Sequence, residues 1–118
     1  MQYALLFYQV GQPLNGRTPS EREAWFAEMR AWREELERAG VFRTALRLAS
    51  PTSASSLRKD GAEILVTDGP FAETKEFLGG FVAIDCENLD AALAWARRCP
   101  ITRIGTIEVR PEFTSQTG

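Results

Sequence analysis

The stretch TDGPFAETKEFLGGFVAIDC, residues 67–86, decides how this 118-residue chain folds. Its first half is a turn, Asp68-Gly69-Pro70, followed by the charges Glu73, Lys75 and Glu76. Its second half passes through Gly79-Gly80 into a strand over residues 80–86. Phe81, Val82, Ala83 and Ile84 are apolar on both sides of that strand, the pattern of a central strand buried on both faces. Tyr3 to Tyr8, inside a predicted first strand over 2–9, repeats it.

Upstream of the turn, Ser55–Arg58 and Glu63–Thr67 flank Lys59-Asp60-Gly61-Ala62, and Asp-Gly between two such runs predicts a hairpin. Pro51 to Ser56 is a small, polar passage, and residues 41–49 alternate as a strand. Before them stands a well-marked helix. Thr18 is placed as N-cap, Pro19 as first residue and Glu21 to close a capping box, with Ser20-x-x-Glu23 as a second box. Trp25, Met29, Trp32, Leu36 and Ala39 recur at spacings of four and three as one apolar stripe, and Gly40 stops the helix. Gly11, Pro13, Asn15 and Gly16 break the chain between first strand and helix. Downstream, Asn88 caps a second helix through Arg98, Pro100 lies beyond it, and a last strand covers 103–110. The polar tail is Thr114 to Gly118, so a single domain is expected over residues 1–113.

The order is β-α-β, an inserted hairpin, then β-α-β: a ferredoxin-like α+β fold. Right-handed crossovers put both helices on one face of the sheet. Strands apolar on both sides then need a cover on the other face, which predicts a homodimer packed sheet to sheet.

Lys plus Arg is 14 against 16 Asp plus Glu, a net charge of -2. That balance argues against a nucleic-acid surface. No apolar run approaches the length of a membrane helix, and the first residues lack a signal-peptide pattern, so the expected location is the cytoplasm. Cys86 and Cys99 have no metal-ligand spacing and read as buried, reduced thiols. Neither metal nor cofactor is expected. The chain has no histidine, which removes Ser-His and Cys-His pairs, and no phosphate-loop pattern.

The candidate site follows from strand faces. If Phe42, Leu46 and Leu48 face the helices, Arg43 and Arg47 face the second sheet, as does Glu108, which with Thr106 alternates with Ile107 and Val109. Such charges must pair across the interface, bind an anion or reach water. An aspartate in a turn ordinarily accepts the N–H two residues on, but here that residue is Pro70, which has none. The Asp68 carboxylate therefore caps Phe71 N–H, pairs with Arg47, or is free for a ligand. Gly69 lets backbone approach a ligand closely, and Gly79-Gly80 signals a bulge or a close approach of another backbone.

Val66-Thr67-Asp68-Gly69-Pro70-Phe71-Ala72-Glu73-Thr74-Lys75-Glu76, then Leu78-Gly79-Gly80-Phe81, closely resembles the YCII-related family in its DGPF subgroup. Met1–Leu6, Ala39-Gly40-Val41, Leu89–Ala92 and Ile107–Pro111 look like the family's other landmarks. The resemblance implies a dimeric α+β barrel, in agreement with the patterning. It also implies relatives acting on small ring compounds, including by dehydrochlorination, with an aspartate and a histidine in the site. Asp68 matches that aspartate; the histidine has no counterpart here. Encoding near extracytoplasmic-function sigma factors, common in the subgroup, implies a regulatory setting with a sigma factor as partner.

The expected function is a homodimer binding a small anionic or cyclic metabolite in an inter-sheet cleft, held by Arg43, Arg47, Gly69, Pro70, Phe71, Lys75 and Glu108. The alternative is a lyase or isomerase. Asp68 is then general acid or base, which calls for burial in that cleft, and Arg47 or Lys75 holds the developing oxyanion.

Overall fold

The computed structural model describes residues 1–11, 14 and 16–116. Pro13 and Asn15, read above as breakers, and residues 117 and 118 of the tail lie outside the described residues. The elements run β1 (Gln2–Gln9), α1 (Pro19–Arg38), β2 (Phe42–Arg47), β3 (Ser55–Asp60), β4 (Glu63–Asp68), β5 (Phe77–Asp85), α2 (Leu89–Arg97) and β6 (Gly105–Pro111). A short 3-10 helix at Pro100–Arg103 delays β6 relative to the expected start at 103.

Helix α1 begins as its capping box dictates. Glu21 N–H donates to the Thr18 hydroxyl at 3.2 Å, and Thr18 N–H donates to the Glu21 carboxylate at 3.2 Å. This satisfies two of the amides that a helix start leaves open. Asn88 caps α2 with a single bond, its side-chain oxygen accepting from Ala91 N–H at 2.9 Å.

Four strands form one antiparallel sheet in the order β2-β5-β1-β6, and β3 and β4 form a separate ribbon. This is the ferredoxin-like arrangement. Both helices lie on one face, where Leu5, Phe7, Val82 and Ile84 meet Trp32 and Leu36 from α1 and Ala92 and Ala96 from α2. The Trp32 indole N–H donates to the Trp95 carbonyl at 3.1 Å, tying the two helices, and its ring meets Phe7 edge-on at 6.3 Å. A buried indole keeps its polar atom satisfied this way. Cys99 is buried beside them, and burial pushes its thiol up to about 11. Both cysteines are free thiols; Cys99 is buried and Cys86 partly exposed.

Two bulges set the side-chain directions. In β1–β5, Phe7 pairs with Gly80 and Tyr8 with Leu78, leaving Gly79 as the extra residue. A Cβ on Gly79 would lie 2.8 Å from the Gln9 side chain, and one on Gly80 would lie 2.8 Å from the Leu46 carbonyl. The double glycine thus serves both readings offered for it, a bulge at one residue and a close backbone approach at the next. In β2–β5, Phe42 pairs with Ile84 and Thr44 with Ala83, so Arg43 is extra. Alternation slips by one there. Phe42, Ala45 and Arg47 consequently share the helix side with Ile84, Val82 and Gly80, while Leu46 pairs with Phe81 on the far side. The expectation that Arg47 faces away from the helices and Leu46 toward them is corrected by this bulge. Thr106 and Glu108 do lie on the far face, opposite Tyr8 and Leu6. Among the described residues, no helix is long and apolar enough to cross a membrane.

Candidate functional site

Between α1 and the helix side of the sheet lies a cleft of about 460 Å³. Helical spacing from Phe26 through Arg30 to Arg33 lines one wall, and Trp25 and Met29 continue it. Strands supply the other wall through Phe7, Gln9, Ala45, Arg47 and Gly79-Gly80. The glycines matter to its shape: their missing Cβ atoms leave room for the Gln9 amide and for the β2 backbone.

The guanidiniums of this cleft are in different states. Arg33 is engaged, its Nε 2.8 Å from the Glu37 carboxylate and its guanidinium 4.4 Å from the Phe42 ring centre. Arg47 stacks on Phe26 at 4.6 Å. Among the described residues, neither Arg47 nor Arg30 forms an ion pair. A stacked guanidinium keeps its N–H edge open for a planar anion. Gln9 is the one buried polar side chain in this layer among the described residues, and its amide reaches the Gly11 carbonyl only at 3.5 Å. Aromatic walls, two guanidiniums outside any ion pair among the described residues, and one amide thus line the cleft. Among the described residues, no three His, Cys, Asp or Glu side chains converge as metal ligands.

The residues expected to form one site are divided among several places. Arg47 is in the helix–sheet cleft. Arg43 sits at the sheet margin, bonded to the Gly40 and Phe42 carbonyls at 3.0 and 2.9 Å and 3.5 Å from Asp85. The N-terminal ammonium also meets Asp85 at 3.0 Å, and this hydrogen bond lowers the Asp85 pKa, with Arg43 adding to it. Glu108 is exposed on the far face of the sheet.

The turn residues form a second region. Pro70 and Phe71 line a groove of about 800 Å³ with Tyr8, Leu48–Ala54 and Phe77–Leu78. Lys75 is exposed nearby, outside that lining. Asp68 is exposed at the end of β4, and its carboxylate has no hydrogen bond or ion pair among the described residues. Three roles were open to that carboxylate, and two of them, the Phe71 cap and the Arg47 pair, do not form. Gly69 has a different reason from the one expected. Nothing approaches the place of its Cβ, but its φ is 97°, a conformation that side chains disfavour. Its N–H donates to the Ala54 carbonyl at 2.7 Å, and its carbonyl accepts from the Ser56 hydroxyl at 2.7 Å. The turn is therefore stitched to the start of β3.

Sequence reasoning missed Gln9, Phe26 and Arg30. A signal was present for each. Gln9 is the polar end of the buried series Tyr3, Leu5, Phe7, and Phe26, Arg30 and Arg33 form a helical row beside the apolar stripe.

The comparisons agree with this architecture. Over 98% of its length the chain superposes on 97% of the 5-chloro-2-hydroxyhydroquinone dehydrochlorinase TftG of Burkholderia phenoliruptrix AC1100, solved with 2,5-dihydroxybenzoquinone, at a TM-score of 0.53 and 14% identity. That likeness is one of fold. An uncharacterised protein of Rhizobium meliloti (strain 1021) is 40% identical over 115 residues, spanning 94% of this chain and 91% of that protein. The model of the YCII-related domain matches residues 1–113, and with it the chain belongs to the YCII-related domain family.

Proposed function

We propose that this protein is a small-molecule-binding homodimer whose helix–sheet cleft takes a small cyclic anion in a regulatory setting. The observation that carries the reading is the pairing of an apolar, aromatic-walled cleft with two guanidiniums, Arg30 and Arg47, that have no carboxylate partner among the described residues. A volume of about 460 Å³ suits a single small ring and lies within the ordinary range for ligand pockets. The fold relative TftG, solved with a small oxygenated ring compound, gives further support to that ligand class. Relative to the inter-sheet site expected from sequence, the reading keeps Arg47 and the ligand class and moves the site to the other side of the sheet.

The lyase or isomerase reading draws on the same relative, which is a dehydrochlorinase. It is the weaker reading here. Asp68, its acid–base residue, is exposed and is not among the residues lining the helix–sheet cleft.

The test is a thermal-shift screen of benzoate, hydroxybenzoates and 2,5-dihydroxybenzoquinone against the wild type and Arg47→Ala. At least one compound is expected to raise the wild-type melting temperature, with the shift lost in Arg47→Ala. Equal shifts in both proteins sink the proposal.

A further inference from the structure

Two apolar surfaces of this molecule have no cover within the chain. The first is the β3–β4 ribbon, in which every residue of β4 and all of β3 except Ser56 are exposed. Its register puts Leu57 opposite Val66 and Lys59 opposite Ile64. Directly paired residues share a face, so Leu57, Val66 and Ile64 form one apolar row between Lys59 toward the tip and Asp68 at the base. These three are 68%, 64% and 60% exposed. A two-stranded ribbon with both faces wet is marginal by itself. The second surface is the sheet face turned away from the helices, where Leu6, Tyr8, Phe81 and Leu46 stand beside Glu108 and Arg110 of β6. The molecule is correspondingly flat, 48 × 46 × 20 Å, with a radius of gyration of 16.5 Å. A compact domain of this length would have about 13.5 Å.

We infer that the β3–β4 ribbon is a clasp that lies across the open sheet face of a second copy of this chain. The clasp rests on the dimer of the proposed function and adds to it a specific contact. Each surface is apolar and carries one cation and one anion outside the Asp85 cluster at the sheet margin: Lys59 and Asp68 on the ribbon, Glu108 and Arg110 on the sheet. None of the four is in an ion pair among the described residues. Lys59 near the ribbon tip and Glu108 on the edge strand β6 are therefore opposite charges available to pair, and a two-fold axis uses that contact twice, once in each direction. Reach is sufficient. A six-residue strand extends roughly 20 Å, and a four-stranded sheet is about 14 Å between its outer strands. A membrane is a poorer fit, because a peripheral anchor needs a basic excess beside the apolar row. In the clasp, Lys59 meets Glu108 of the partner subunit.

Charge reversal in the full chain tests this by sedimentation velocity at micromolar concentration. Wild type is expected to be a dimer. Lys59→Glu and Glu108→Lys should each weaken dimerisation at least tenfold, since like charges then face each other, and the double variant should restore it. Leu57→Ser with Val66→Ser should weaken it independently of charge. Circular dichroism melts confirm folding, which these exposed positions leave intact. A monomeric wild type overturns the dimer itself. A dimer indifferent to both reversals and to the serine pair overturns the clasp while leaving the dimer standing. Weakening by each reversal without restoration in the double variant overturns the Lys59–Glu108 contact. Loss of the dimer leaves the cleft proposal to its own thermal-shift test.

Discussion

The helix side of the sheet and the β3–β4 ribbon use similar side chains in opposite ways. Leu5, Leu36 and Ile84 expose nothing, whereas Leu57, Ile64 and Val66 expose most of their surface. The first region carries the folding free energy, since stabilisation follows apolar area removed from water. The ribbon, and the DGPF turn stitched to it, contribute little to that core. The sequence of that turn is therefore not explained by packing, and the same mutation should have unlike effects in the two regions.

The largest contrast is expected from truncation. Leu36→Ala should cost about 2–5 kcal/mol in urea unfolding, through lost burial and the cavity left behind. Leu57→Ala, measured under monomeric conditions, should cost less than about 0.5 kcal/mol, as exposed substitutions do. Similar costs would break the comparison. Next comes pH. Cys99 has an ordinary value of 9.0 and is raised to about 11 by burial, so the fold favours the neutral thiol. That contribution is fully present below pH 9, and it is lost as pH rises from 9 to 11. Two units correspond to about 2–3 kcal/mol. Stability measured across this window should fall, and the fall should be much shallower in Cys99→Ala; an unchanged slope would contradict the assignment. Gly80→Ala should cost about 1–3 kcal/mol, because its Cβ meets the Leu46 carbonyl, which is backbone and cannot move aside cheaply. Smallest of all, Asp68→Asn should change stability by less than about 0.5 kcal/mol, since its carboxylate has no partner among the described residues. A loss beyond about 1 kcal/mol in a thermal or urea melt would reveal a structural role for it.

Much of the fold was legible because its signals are local. The Thr18–Glu21 box, the Trp32–Leu36 stripe, the Asp60-Gly61 turn and the Asn88 cap each depend on residues a few positions apart. The site was less legible because its geometry depends on register. One extra residue, Arg43, inverts the faces of everything after it in β2. That inversion carries Arg47 from the expected inter-sheet space to the helix side, where it meets Phe26. Strand alternation alone contains no mark of such a bulge. Gly79-Gly80 did announce theirs, since glycine in a strand already suggests irregular pairing. For Asp68, the missing N–H of Pro70 correctly removed the easiest turn bond, but exposure of the carboxylate depends on how the ribbon leaves the sheet, which no local pattern encodes.

The central claim is that the ligand site lies in the helix–sheet cleft. Calorimetric titration of the best small cyclic anion into wild type, Arg47→Ala and Asp68→Asn tests it most directly. Loss of a charge-assisted bond predicts an affinity at least about tenfold weaker in Arg47→Ala and unchanged in Asp68→Asn. Unchanged binding in Arg47→Ala, or loss confined to Asp68→Asn, would contradict it and return the site to the DGPF turn.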